Sequence, residues 1–106
     1  MKVSKHHKII NVANELILNQ TRVCFVVEDN KLLGVFSEGD IVRRALNKLS
    51  FDTPIEKIMT KNFKYLSPNP SKNEIISMFK KYKITDIPIL DDSRNLIDII
   101  NIYDII

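Results

Sequence analysis

A chain of 106 residues with 44% hydrophobic and 27% charged residues is composed like a soluble globular domain, and two glycines and four prolines exclude a disordered or loop-dominated polymer. Its net charge of +3 is mild, and Lys5, Lys8, Arg43, Arg44, Lys80, Lys81 and Lys83 are scattered without interleaved aromatics, which argues against a nucleic-acid stacking platform and for solvated helix faces. Cys24 is the sole cysteine, so no internal disulfide can form, and neither a signal peptide nor an apolar run near 18 residues is visible; the cytoplasm is the expected compartment, with no membrane partner.

Ile9, Ile10, Val12, Ala13, Leu16 and Ile17 recur at helical spacing and predict an amphipathic helix over roughly residues 5–19. Val23 to Val27 is a continuous apolar run, the pattern of a strand buried on both faces, with Cys24 inside it as a small hydrophobe. Residues 28–31 read as a turn, and Leu32 to Phe36 as the return strand of a hairpin. Ser37 is placed to cap a helix from Glu38, with Glu38 and Asp40 at its positive end and Ile41, Val42, Ala45 and Leu46 facing inward. A connection from Leu49 to Pro54 leads to a helical turn, Ile55 to Met59, and Asn62 to Leu66 can form a strand stopped by Ser67-Pro68-Asn69-Pro70. Ser71 and Glu74 have the spacing of a capping box opening a helix to Tyr82, buried through Ile75, Ile76, Met78 and Phe79. Ile87 to Leu90 and Leu96 to Ile100 form a second hairpin. A last helix begins at Ile102 and is cut after about one turn, too short to stand without continuation elsewhere.

The chain says one thing twice. Val26-Val27-Glu28-Asp29 and Leu32 through Ile41 reappear as Ile89-Leu90-Asp91-Asp92 and Leu96 through Ile105. The offset is 63 residues from Val26 to Ile89 and 64 from Asp40 to Asp104, an extra turn residue near Ser93 making the difference. Residues 1–53 and 54–106 are therefore expected to be two similar halves. Each alone would be marginal, since a chain of roughly 60 residues buries only about 60% of its surface. Two such units imply pseudo-twofold symmetry and a cleft between them suited to a small ligand.

This pattern resembles a tandem pair of CBS domains, the Bateman module, over essentially the whole chain. Gly34-Val35-Phe36-Ser37-Glu38-Gly39-Asp40 fits the family's motif of a glycine, two apolar residues, Ser or Thr, two variable residues and Asp. Ile84-Thr85-Asp86-Ile87-Pro88-Ile89-Leu90-Asp91-Asp92 fits its second strand. The resemblance implies an α+β fold of two pseudo-symmetric β-α-β-β-α repeats packed sheet to sheet, the last helix truncated. Residues 38–46 and 51–59 further resemble the CBS region preceding the catalytic domain of some sugar-phosphate nucleotidyltransferases, including guanylyltransferases of legionaminic acid type pathways; CBS pairs of sugar-phosphate isomerases share much of this look. No glycine-rich catalytic motif follows, so the chain is expected to be an accessory region and not itself an enzyme.

By this resemblance Asp40 binds the ribose hydroxyls of an adenine or other nucleotide (AMP, ADP or ATP), and Ser37 helps hold phosphate. A carboxylate accepting from vicinal hydroxyls gains roughly 1.5–3 kcal/mol per charge-assisted bond, and helix amides from Ser37 to Gly39 can face a phosphate. Base contacts are implied near Phe63, Lys64 and Tyr65; Thr21 and Arg22 complete the pocket, with Arg43 and Arg44 as phosphate partners. The second copy departs from the motif: Asn101 replaces the hydroxyl residue and Asp98 the glycine, while Asp104 is retained beside Thr85, so this site reads as degenerate.

Plainer readings stand beside these. Asp40 and Ser37 also suit a helix cap, and Asp104 a structural role. His6 and His7 are adjacent and lack the i, i+4 geometry of a metal pair, so no metal is expected. Met59, Met78 and Phe79 are core or dimer contacts. No nucleophile, base or P-loop arrangement supports catalysis. The expected role is a nucleotide-sensing accessory module, homodimeric and serving an attached or associated nucleotidyltransferase. The alternative is a ligand-free dimerisation module, with apolar faces near Leu46 and Phe79 left exposed.

Overall fold

The computed structural model describes residues 1–48 and 50–105. Leu49, where the first connection is expected to begin, and Ile106, at the end of the expected last helix, lie outside the described residues. The fold is mixed α+β: β1 (Lys2–Val3), α1 (Ile9–Leu18), β2 (Val23–Glu28), β3 (Lys31–Ser37) and α2 (Glu38–Leu46) are followed by α3 (Lys72–Tyr82), β4 (Asp86–Leu90) and β5 (Leu96–Asn101). Short 3-10 turns cover Ile55–Lys57 and Ile102–Asp104. Two compact units result, residues 1–29 with 33–63, and residues 30–32 with 64–106.

In the first unit the sheet order is β1-β2-β3, with β1 parallel to β2 in the register Lys2 to Phe25 and Val3 to Val26. Helix α1 starts at Ile9 and not near Lys5, because the residues before it are engaged elsewhere. The Lys5 and His7 carbonyls accept from the Glu56 and Ile55 amides (3.1 and 2.7 Å), and the first helical amides, Ile9 and Ile10, donate to Thr53 and Phe51 (3.0 and 2.9 Å). The 51–56 loop thus caps a helix whose N-cap residue, Lys8, has no capping side chain. At the other end Gln20 takes a left-handed φ of 53°, and the Thr21 and Gln20 amides return to Leu16 and Ile17, a Schellman stop.

Asp29 and Asn30, at φ 51° and 68°, make the tight turn between β2 and β3; two left-handed residues give the twist that a two-residue hairpin needs. Ile9, Val12, Leu16, Cys24, Val26, Phe36, Ile55 and Ile58 form this unit's core, as the apolar run and the helical spacing predict. Met59 packs against it. Gly34 is buried beneath the 59–60 segment: a Cβ there would lie 2.7 Å from the Met59 side chain and 3.0 Å from the Thr60 carbonyl, while Val35 and Thr60 bridge through their backbones.

In the second unit β4 and β5 are antiparallel, with a bulge at Ile89/Leu90. Asp91 ties the turn: its Oδ1 accepts from the Ser93 and Asn95 amides (both 2.9 Å) and its Oδ2 from Asn95 Nδ2 (3.1 Å), which holds its carboxyl below the usual range. Helix α3 opens on the expected capping box: Ser71 Oγ accepts from the Glu74 amide (3.1 Å), and Glu74 Oε1 from the Ser71 amide (3.2 Å). Ile75, Phe79, Ile87 and Ile89 form the core, with Leu66 and Met78 against it. The strand expected at 62–66 shrinks to one parallel bridge, Leu66 to Ile89. That bridge is the counterpart of Val3 to Val26, since both partners shift by 63 residues.

Burial pushes the Cys24 thiol from its ordinary 9.0 up to about 12. The unfolded thiol ionises first, so above pH 9 the native state holds a proton the unfolded state has lost. Stability should fall as pH rises through this window, by about 1.4 kcal/mol per pH unit. Urea midpoints across the alkaline range should drop more steeply for the wild type than for Cys24→Ala. Gly34→Ala should cost about 1–3 kcal/mol by overpacking; Met59→Ala should restore only part of it, because the Thr60 carbonyl is backbone.

Candidate functional site

The loop from β3 into α2 is organised by a reciprocal pair. Ser37, extended at φ −118°, is the N-cap; the Asp40 amide donates to Ser37 Oγ (3.3 Å), and the Ser37 amide donates to Asp40 Oδ2 (2.8 Å). Ser37 Oγ also donates to Asp40 Oδ2 (3.1 Å). Asp40 is 8% exposed, and its Oδ1 takes a charge-assisted bond from Arg43 Nη2 one turn on. Arg44 reaches the Ile58 carbonyl at 3.4 Å.

This cap sets the rotation of α2, and with it a correction. Asp40 is buried, and Ile41 and Arg44 are half-buried beside it at i+1 and i+4. Val42 (58% exposed), Ala45 and Leu46 (76% exposed) therefore turn to solvent and not inward. Phe79, by contrast, is buried at 6% and leaves no apolar face open at that position.

Arg22 and Thr21 come to the same corner. The Arg22 carbonyl accepts from the Glu38 amide (2.9 Å), its Nε lies 3.7 Å from Glu38 Oε1, and Thr21 Oγ1 donates to the Val23 carbonyl (3.4 Å). Of the amides from Ser37 to Gly39, those of Ser37 and Glu38 are thus committed within the protein, which narrows the expected amide cradle for phosphate. Gly34, the motif glycine, makes room for Met59 and Thr60 of its own chain. Lys64 and Tyr65 belong to the second unit, where Lys64 Nζ lies 4.7 Å over the Tyr82 ring and the Arg94 guanidinium 5.4 Å over Tyr65.

The second unit repeats the corner with different chemistry. The Ile102 amide donates to the Thr85 carbonyl (2.8 Å), and the Asn101 amide donates to Asp104 Oδ2 (3.1 Å), as Glu38 does to Arg22 and Ser37 to Asp40. Asn101 Oδ1 accepts from the Tyr103 amide (2.9 Å). Asp86 joins them: its Oδ1 accepts from Asn101 Nδ2 (2.9 Å) and its Oδ2 from Thr85 Oγ1 (2.8 Å). Sequence reasoning missed Asp86; the available signal was a carboxylate where the first repeat has Val23. Two carboxylates sit at this corner, with Asp98 exposed at the position of Gly34. His6 and His7 are exposed, His7 Nδ1 closing a turn 3.0 Å from the Ser4 amide, and among the described residues no cluster of His, Cys, Asp or Glu is arranged to hold a metal ion.

Two caps of one design, each following an α-β-β order and matched in their backbone bonds, carry a family signature. The sequence matches the CBS domain family over residues 2–47 and 55–106. The chain belongs to the CBS domain family. The two matched ranges make it a tandem CBS pair. It is similar to arabinose 5-phosphate isomerase KdsD of Francisella tularensis, 35% identical over 83 residues, which covers 76% of this chain and 25% of the isomerase. The chain spans about a quarter of the length of the first curated relatives it matches. Among solved structures it shares the fold of a CBS domain protein of Pyrobaculum aerophilum complexed with AMP (TM-score 0.84, 19% identity, 98% of this chain and 81% of that one). It also shares the fold of a CBS domain pair in complex with 5′-methylthioadenosine and S-adenosyl-L-methionine (TM-score 0.82, 24% identity, 99% and 83%). Among the described residues no helix is long and apolar enough to cross a membrane.

Removing the Ser37 hydroxyl should cost about 1 kcal/mol, the usual worth of an N-cap. Urea unfolding of Ser37→Ala against Ser37→Thr checks this, with threonine, which keeps the hydroxyl, expected to hold most of the stability.

Proposed function

We propose that this CBS pair is a nucleotide-sensing regulatory module whose site is the Ser37/Asp40 corner, with Thr21, Arg22 and Arg43 around the ligand. The observation that carries the reading is Asp40: a nearly buried carboxylate at a helix N-terminus, bonded by the exposed guanidinium of Arg43, with that of Arg22 on Glu38 two residues before it. A carboxylate there suits vicinal ribose hydroxyls, and the arginines suit a phosphate. AMP and S-adenosyl-L-methionine bound to CBS proteins of the same fold support an adenine nucleotide as ligand. A nucleotide that prefers one state of the module shifts the equilibrium of the enzyme it serves. The Asn101/Asp104/Thr85 corner, with Asp86 added, is read as degenerate for a phosphate ligand. The matched ranges support repeats at 1–53 and 54–106.

The enzyme served is an attached or associated sugar-phosphate nucleotidyltransferase, on the resemblance of residues 38–46 and 51–59. The similarity to arabinose 5-phosphate isomerase favours a sugar-phosphate isomerase as the second reading. Both place the module in the cytoplasm, with the nucleotide pool. Leu46 and Val42 of α2, with Ile17 (75% exposed) and Leu18 (76% exposed) of α1, favour a homodimer, and a ligand-free dimerisation module is the rival function.

Calorimetry with AMP, ADP, ATP, GTP and a sugar nucleotide should give saturable heat with at least one adenine nucleotide. That heat should weaken at least about tenfold in Asp40→Asn, the loss of one charge-assisted bond. Silence with all of them, from a folded protein that is dimeric by light scattering and monomeric as Leu46→Glu, establishes the dimerisation module instead.

A further inference from the structure

We propose that Arg43 is the switch of this site: without ligand its guanidinium holds the Asp40 oxygen that a ribose hydroxyl would take, and a nucleotide's phosphate draws it off. The site thereby selects 5′-phosphorylated nucleosides over bare nucleosides. This rests on the nucleotide reading above and adds its gate.

Asp40 has two oxygens with unequal duties. Oδ2 accepts from both the Ser37 amide and the Ser37 hydroxyl, so releasing it would uncap α2. Oδ1 is held by Arg43 Nη2. A ribose that needs this carboxylate can take Oδ1 without unmaking the helix start, and it must displace Arg43 to do so. Displacement is easy on the arginine's side. The Arg43 side chain is 66% exposed, so its guanidinium stays hydrated when it leaves, while the Asp40 side chain, 11% exposed, needs the ribose hydroxyls to replace the bond it loses. The guanidinium also lies where a cation is electrostatically out of place. It folds back over the first turn of α2, since a Cβ on Gly39 would sit 3.6 Å from Nη1, and that turn is the positive end of the helix. Asp40 compensates for this; an arriving anion would do so equally well.

The destination of the released group follows from what else is committed. The Ser37 and Glu38 amides already donate to Asp40 and Arg22, so on this turn the fork of Arg43 is the donor able to meet a phosphate bidentately. Arg22 differs: its carboxylate partner is Glu38, which the ligand does not need, so its release is not coupled to ribose binding.

The test is calorimetry of AMP and adenosine on the full chain, as wild type, Arg43→Ala, Arg43→Lys and Asp40→Asn, each verified as folded by circular dichroism. Wild type should prefer AMP by about tenfold or more, one charge-assisted contact. In Arg43→Ala adenosine should bind tighter than to wild type and AMP weaker, so the preference collapses; Arg43→Lys should fall between. The NMR signal of the Arg43 side-chain Nε–H should shift on adding AMP. A preference unchanged in Arg43→Ala, with binding still lost in Asp40→Asn, overturns the switch and leaves the nucleotide site standing. No binding of either probe to wild type or Arg43→Ala removes the site and the switch together.

Discussion

Between Ser37 and Asp40 each residue donates its backbone amide to the other's side chain, and that exchange decides which way α2 faces. With Asp40 turned in, Arg44 follows it four residues later to the Ile58 carbonyl, and Arg43 lies back over the helix start. Val42 and Leu46 are then carried to solvent whatever their hydrophobicity. The candidate ligand group and the candidate dimer face are therefore two consequences of one capping interaction.

The two units keep this device and change its chemistry. Both return the amide after the cap to a carbonyl at the entrance of the hairpin's first strand, Arg22 before β2 and Thr85 before β4. Backbone hydrogen bonds depend on the path of the chain and tolerate side-chain divergence, so they preserve the repeat better than the motif does. Where the first corner brings a guanidinium, that of Arg43, to its carboxylate, the second brings a further carboxylate, Asp86, satisfied by Thr85 and Asn101. An anionic ligand would meet paired charges at the first corner, Arg43 with Asp40 and Arg22 with Glu38, and two carboxylates at the second.

Much of this could be read directly from the chain. The hairpins, the Ser71/Glu74 and Ser37 caps and the burial of Cys24 follow from local rules of periodicity and capping spacing, and the fold follows from the resemblance to the CBS pair that the repeated motif carries. The misses have a common cause. Residues 5–8 look helical but are engaged by residues 54–56, and Val42, Ala45 and Leu46 of α2 look buried but are rotated outward. Residues 62–66 look like a strand, and the ladder there is reduced to the Leu66–Ile89 bridge. Asp86 went unnoticed because nothing local marks a strand's first residue as a partner of Asn101, 15 residues away.

The sequence by itself determined the three helices and the two hairpins, that they come in two related sets, and which copy retains the serine and aspartate of the motif. Those are properties of neighbouring residues and of comparing one stretch with another. Only the tertiary structure decided that Gly34 yields space to Met59 and Thr60, that the Ser37 and Glu38 amides are already used, and that Arg43 holds the free oxygen of Asp40. Each of these depends on which groups compete for a donor or a space in three dimensions. Motif spacing names the candidates for such a competition; packing and hydrogen-bond geometry choose among them.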